Sequence, residues 1–346
     1  MIVVTGASGL VGGNLVRALL SRGEEVRALV HQDRRAIEGL AVEQVQADIL
    51  SVDDLKRAFA GAHTVYHAAG LISTKPGDGP ALERVNAGGT RNVVAACLAG
   101  GVRRLVHISS IQALQGGPRG TPVDEARPLA DTPAFPAYDR SKAAAEKEVL
   151  AGWQQGLETV ILNPTAVVGP FDVKPSYFGR AMLMLARGRI PALVGGGFDW
   201  VDARDLALGA VQAGMKAPSG ERYILSGHWH SVREVAARIA VLSGTPAPRL
   251  TVPMGLAWLT APIISWLGSF TPLKRIIPLT SQTAPQPGSA APAAEPIYTR
   301  ATLGWLSSNP QVSHAHAGHD LGYQPRPFAE TLADTLDWFM RQGYLE

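Results

Sequence analysis

The chain has 346 residues, 46% of them apolar, a formal net charge of +3 and one cysteine, Cys97. That is enough apolar material for a large buried core, and the basic residues are too scattered to imply a nucleic-acid surface. A lone cysteine, set in an apolar helical run and expected to pack in the core, excludes a disulfide framework and fits a reducing compartment; with the first strand starting at Met1 there is no room for a signal peptide, so a cytoplasmic location is expected.

Met1 to Thr5 is a short β-branched apolar run, followed by Gly6-Ala7-Ser8-Gly9-Leu10-Val11-Gly12 and an amphipathic helix through Leu15, Val16, Leu19 and Leu20. Strand, glycine-rich turn and helix in this order form a dinucleotide-binding unit: Gly6 turns the chain, Gly9 admits a pyrophosphate to backbone N–H groups, and Gly12 lets helix and strand pack closely. Glu25 to Val30 reads as the second strand, where the fold selects its cofactor. No carboxylate stands at its tip, Asp33 comes two residues late, and His31, Arg34 and Arg35 are placed to hold a 2′-phosphate, so NADP(H) is expected over NAD(H).

Val42 to Gln46 is a third strand, Ser51 caps a helix to Phe59, and His63 to His67 is a fourth strand opening into Ala68-Ala69-Gly70, small enough to approach a cofactor. Asn86 to Thr90 sits within a helix running to Leu98, and Val102 to Ile108 is a fifth strand ending in Ser109-Ser110. Strands and helices alternate at βαβ spacing, which predicts an α/β fold: a Rossmann doubly wound parallel sheet. The Pro- and Gly-rich loop of residues 111–137 leads into Tyr138-Asp139-Arg140-Ser141-Lys142, opening a helix to Leu150. Tyr138 and Lys142, four apart, share a helix face and meet Ser109-Ser110 at the carboxyl edge of the sheet, where this fold binds ligands.

A sixth strand over Thr159 to Leu162 leads to Asn163-Pro164 and Val168-Gly169-Pro170. A helix near Tyr177 to Arg187, a turn at residues 195–197, a helix from Trp200 to Leu206 and a strand over Arg222 to Leu225 returning to the sheet follow. The expected division is a Rossmann domain over residues 1–167 and 198–226, and a smaller, mainly C-terminal substrate lobe over 168–197 and 227–346. Residues 252–273 carry no formal charge, but Pro253, Pro262 and Pro272 cut them too short to cross a bilayer; no stable membrane insertion is expected, and the segment from Val252 to Phe270 is expected to line an apolar substrate cavity. Residues 282–296 form a Pro/Ala/Ser tract, and Phe328 to Met340 a last amphipathic helix. His314, His316 and His319 lack helical alignment and a companion acid motif, so no metal set is read from them.

The ordered set Thr5-Gly6-Ala7-Ser8-Gly9-Leu10-Val11-Gly12, Asp48-Ile49, Asn86 with Gly89-Thr90, Ser109-Ser110, Tyr138-x-x-x-Lys142 and Leu321-Gly322-Tyr323 resembles the extended short-chain dehydrogenase/reductase superfamily over nearly the whole chain. Asn163-Pro164 followed by Val168-Gly169-Pro170 is similar to the branch of dihydroflavonol reductases, 3β-hydroxysteroid dehydrogenases and hopanoid-associated reductase/epimerase-like proteins. His31 stands where that branch often has an Arg, and His316 where a Lys is common. The resemblance implies that Tyr138 moves the proton, that Lys142 lowers the tyrosine pKa and holds the nicotinamide ribose, and that Ser110 binds the substrate oxygen. It implies cofactor contacts from Gly6, Ser8, Gly9, Leu10, Val11, His31, Arg34, Arg35, Asp48, Ile49, Ala68, Ala69, Tyr138, Lys142, Asn163 and Pro164, and a homodimer built on helices beside Tyr138. The function expected is an NAD(P)H-dependent oxidoreductase interconverting a ketone or aldehyde and an alcohol on a fairly apolar small molecule; the alternative is an NAD-dependent sugar-nucleotide epimerase or dehydratase.

Overall fold

The computed structural model describes residues 1–75, 77–118, 120–259 and 299–345. Strands β1 (Ile2–Thr5), β2 (Val26–Val30), β3 (Glu43–Gln46), β4 (Thr64–His67), β5 (Arg104–Ile108) and β6 (Glu158–Pro164) lie in one sheet. Beyond β7 (Ala166–Val168), β8 (Ala192–Val194) and β9 (Gly197–Asp202), strand β10 (Arg222–Leu225) returns to complete it in the order β10-β6-β5-β4-β1-β2-β3. Every pairing is parallel. The strand order reverses at β1, between β4 and β2, which opens a crevice at the carboxyl ends there.

The runs of apolar residues in β1 and β2 follow from burial on both faces. Ile2 and Val4 point into one core with Leu15, Val16 and Leu19 of α1 (Leu10–Leu20). Val3, between them, points into the opposite core with residues of α2 (Val52–Ala58) and, beyond the short α3 (Gly79–Leu82), of α4 (Gly89–Ala99) and α5 (Ala137–Gln154). Cys97 is buried in this second core. Where one continuous helix was expected through Asn86, residues Glu83–Gly88 form a wider π-helical turn before α4. Gly89 then lies flat on Ile49, whose Cδ1 would be 2.7 Å from an added Cβ.

The second lobe is built around β7 and β9, paired parallel, with β11 (His228–Ser231) antiparallel to β9. Strand β8 pairs with β12 (Leu250–Val252). Helices α6 (Tyr177–Ala186) and α8 (Val232–Ser243) pack with Trp200, Phe328 and Leu332 into a third core. Helix α7 (Ala203–Lys216) lies on the large sheet beside α1, and after α9 (Arg300–Leu306) the chain returns there too, placing Ala317 and Leu321 of α10 (Ala315–Leu321) in the first core. Helix α11 (Phe328–Arg341) closes the second lobe. The segment of residues 260–298, including most of the uncharged stretch and the Pro/Ala/Ser tract, lies outside the described residues.

Candidate active site

The turn after β1 shows why glycine stands where it does. Gly6 has φ +69°, and a Cβ there would lie 2.6 Å from Ala69 N and 2.7 Å from Ala68 C. At Gly12 a Cβ would meet Gly6 O at 2.1 Å. Gly9, by contrast, would meet only Gly6 O at an ordinary 3.5 Å, leaving its outer side open. Gly9 is also the N-cap of α1, with no side-chain cap and no acidic residue in the first turn. An open glycine edge over a helix start that no side chain caps fits the pyrophosphate of a dinucleotide.

The ends of β1 and β4 are tied to each other and to α4 by buried polar side chains. The His67 imidazole is joined at Nδ1 to Thr5 Oγ1 (2.8 Å) and at Nε2 to Thr90 Oγ1 (3.0 Å), and burial pushes its pKa down to about 3. Thr5 Oγ1 also accepts from Ala69 N at 3.3 Å. Asn86 Oδ1 accepts from Leu71 N, while its Nδ2 donates to Leu71 O and Ser141 Oγ; Ser141 in turn donates to Tyr138 O at 2.7 Å. The loop after β4 is thereby fastened to α5, and Lys142 Nζ sits 4.0 Å from where a Cβ on Gly70 would be.

Ser110, Tyr138 and Lys142 lie at the carboxyl end of β5. Burial pushes the Tyr138 phenol's pKa up to about 12, against the lowering influence of the neighbouring Ser110 hydroxyl. Lys142 Nζ donates to Ile108 O at 2.9 Å, and burial pulls its pKa down to about 8. Trp305, from α9, packs edge-on to Tyr138 with ring centroids 5.6 Å apart and donates Nε1–H to Asp139 Oδ1 at 3.2 Å.

Next to this cluster is an apolar cavity. Phe178, Met182, Phe198, Trp200 and Leu306 are among its walls, and none of the described lining residues is charged. Phe198 joins it to the site, because it also packs against the apolar cluster of Leu82, Tyr138 and Trp305. The expected contribution from residues 252–259 is not found: Val252, Met254 and Ala257 pack against Val194, Leu303 and Leu306 behind the cavity. Residues 260–270 lie outside the described residues.

The model of the NAD dependent epimerase/dehydratase family matches residues 2–226. The chain belongs to this family. Sterol demethylase protein B of Methylococcus capsulatus is 33% identical over 351 residues, covering 99% of both chains. A putative dihydroflavonol 4-reductase of Synechocystis is 33% identical over 353 residues, 99% of this chain and 95% of the relative. Among solved structures, gox2253 superimposes with a TM-score of 0.83 at 30% identity, covering 100% of this chain and 99% of that one. The protein is an extended short-chain dehydrogenase/reductase, an NAD(P)-dependent oxidoreductase.

For a member of this family, the region after β2 bears on cofactor choice. His31 and Arg34 are exposed. Arg35 is turned onto Asp33, donating from Nε (2.9 Å) and Nη2 (2.6 Å) to its two carboxylate oxygens. Asp48 accepts from Leu50 N, and Ile49 lies beneath Gly89. Asn163, fully buried, donates to Ser110 O at 2.8 Å, which places it under the site. The three C-terminal histidines are separately engaged: His314 with Ser226 Oγ, His316 and His319 with Asp320. Among the described residues no group of three or more His, Cys, Asp or Glu could hold a metal ion, and no helix is long and apolar enough to cross a membrane.

Asp139 escaped the reading of the sequence as a member of the site, and nothing local joins Trp305 to Tyr138. Asp139 looks like an ordinary first-turn acid beside Tyr138. Trp305 is 167 residues downstream of Tyr138, and only the tertiary fold brings it there.

Proposed function

We propose that the protein is an NAD(P)H-dependent reductase/dehydrogenase, NADP(H)-preferring, that interconverts a ketone or aldehyde and an alcohol on a relatively apolar small molecule. The observation that carries this reading is the Ser110–Tyr138–Lys142 cluster set beside an uncharged, aromatic-walled cavity through Phe198. A cavity with no charged lining is a poor receptor for a nucleoside diphosphate, which needs cations or backbone donors for each phosphate. The names of the two relatives, a sterol demethylase protein and a putative dihydroflavonol 4-reductase, support an apolar substrate.

Gly6, Ser8, Gly9, Leu10 and Val11 would hold the dinucleotide pyrophosphate, with Asp48, Ile49, Ala68 and Ala69 along the adenosine and Asn163 and Pro164 toward the nicotinamide. His31, Arg34 and Arg35 would receive a 2′-phosphate. The bound nicotinamide supplies or accepts the hydride. Ser110 donates a hydrogen bond to the substrate oxygen as negative charge builds on it. Tyr138, a neutral phenol in this environment, delivers its proton to that oxygen and takes it back in the reverse reaction. Lys142 presents its ammonium to the phenol oxygen and the nicotinamide ribose, stabilising the phenolate left after proton transfer. The enzyme acts as a cytoplasmic homodimer in this proposal.

The test is NADPH consumption with a panel of hydrophobic cyclic and aryl ketones, for the wild type and Tyr138→Phe. Turnover in the wild type and its loss by about 10²–10⁴-fold in the variant, with cofactor binding kept, is the expected result. Full turnover by Tyr138→Phe overturns the mechanism. An NAD that stays bound through purification, with turnover of a sugar nucleotide, would establish the epimerase or dehydratase alternative instead.

A further inference from the structure

Three helical positions spaced by four, Tyr138, Lys142 and Glu146, line one face of α5. Glu146 is fully buried. Its Oε1 accepts from Ser109 Oγ at 2.5 Å and from Asn163 Nδ2 at 2.6 Å, and its Oε2 accepts from Arg222 Nη2 at 2.5 Å. The same Asn163 Nδ2 reaches Ser110 O at 2.8 Å. Three successive residues at the end of β5 are therefore each moored: Ile108 O by Lys142, the Ser109 hydroxyl by Glu146, and Ser110 O by an asparagine that Glu146 holds.

We propose that Glu146 is a positioning residue of the reductase site: it clamps the Ser109–Ser110 strand end onto the helix that carries Tyr138 and Lys142, and it supplies the buried negative charge that Lys142 faces one turn away. This rests on the reductase reading of the site. Burying a carboxylate is costly, and a well-packed apolar side chain would serve stability as well or better. The Arg222 guanidinium offsets part of that cost from the far side, with side-chain exposures of 0% for Glu146 and 19% for Arg222. The network is not saturated either, since Asn163 Oδ1 and Arg222 Nε, both buried, have no hydrogen-bond partner among the described residues. Such an arrangement holds a specific geometry and charge at the expense of packing.

The groups that face the Lys142 amine electrostatically are the helix neighbour Glu146 and, from β4 and β5, the imidazoles of His67 and His107. Both imidazoles are held well below their ordinary pKa by burial and stay neutral near pH 7. Glu146 is thus the acidic group that favours the charged lysine.

The experiment compares wild type, Glu146→Gln and Ser109→Ala, full-length, by two measurements. The first follows the Lys142 signal in ¹³C-lysine NMR, identified by its absence in Lys142→Met, through an alkaline titration. Glu146→Gln is expected to move its midpoint down by roughly half a pH unit or more; an unmoved midpoint overturns the charge role. The second is NADPH-dependent reduction of 2-decalone alongside NADPH affinity and thermal melting. Glu146→Gln is expected to lose about 10–100-fold in kcat and Ser109→Ala about 3–10-fold, with NADPH Kd within about 3-fold. Unchanged kcat in both variants, or losses that only track the melting temperature, overturn the clamp. If the wild type reduces no ketone, the reductase reading fails, and the NMR titration still decides whether Glu146 acts on Lys142.

Discussion

Trp305 donates its indole N–H to Asp139 Oδ1 at 3.2 Å, so a residue of α9 is bonded to the first turn of the helix that carries Tyr138. Burial pushes the Asp139 carboxyl up to about 7 from its ordinary 3.8. Between those two values the folded protein binds a proton that the unfolded chain has lost, so this group makes stability fall as pH rises through that window. Asp139→Asn stays neutral at every pH and can still accept from Trp305. It is expected to flatten the pH dependence of melting across that window and to stabilise the protein above it by about 1–3 kcal/mol. Parallel melting curves for the two proteins across the window would refute this.

Lys142 behaves in the opposite sense. Burial lowers its pKa to about 8 from 10.5, so between those values the unfolded chain holds a proton the folded protein does not. Stability from this group therefore rises with pH through the window and is lowest below it, while the charged lysine that the reaction uses is lost as pH rises through about 8, the lower edge of the window. Lys142→Met is expected to be more stable than wild type at neutral pH by about 1–3 kcal/mol and at least about 100-fold less active. In the wild type, reduction is expected to decline as pH rises through about 8. Melting and kcat over one pH series check both statements.

The glycine turn gives a sharper structural test. Gly6→Ala must place a side chain at φ +69° and within 2.8 Å of the Ala68–Ala69 backbone, neither of which can move without displacing β4. A loss of about 2–4 kcal/mol in stability is expected, with NADPH affinity down by about 10-fold or more. Gly9→Ala meets only an ordinary contact inside the protein. It should melt like wild type and lose cofactor affinity alone, as nucleotide fluorescence titration would show.

Cofactor choice separates Arg34 from its neighbour. His31, Arg34 and Arg35 are all exposed at the tip of β2, but Arg35 is engaged by Asp33 through two bonds, which leaves Arg34 and His31 as the basic groups there with no ion pair among the described residues. Arg34→Ser is expected to weaken NADPH by about 5–20-fold, in line with one solvent-screened, charge-assisted phosphate contact, and to leave NADH affinity unchanged. Equal weakening of both cofactors would remove Arg34 from a 2′-phosphate role.

Much of the architecture is legible because it is written locally. The glycine turn, the buried strands and the Tyr138–Lys142 pair each show in a window shorter than a dozen residues, and the parallel sheet follows from their alternation. The walls of the cavity are not, since Phe178, Trp200 and Leu306 come from three separate elements. The uncharged stretch after Leu250 drew attention by its composition, yet its described part packs behind that cavity. Glu146 reads as one more charged residue on a helix; only the return of β10, bringing Arg222 against it, shows that it is buried. Trp305 carries no local signal of its place beside Tyr138.

The most direct measurement is net consumption of NADPH by the purified protein with hydrophobic ketones, set beside Tyr138→Phe under identical conditions. Stoichiometric formation of the alcohol by the wild type, and its loss in the variant with NADPH still bound, is the outcome that follows from the Ser110–Tyr138–Lys142 cluster and the apolar cavity. An NAD retained through purification, with a sugar nucleotide converted and no net change in cofactor redox state, would contradict it.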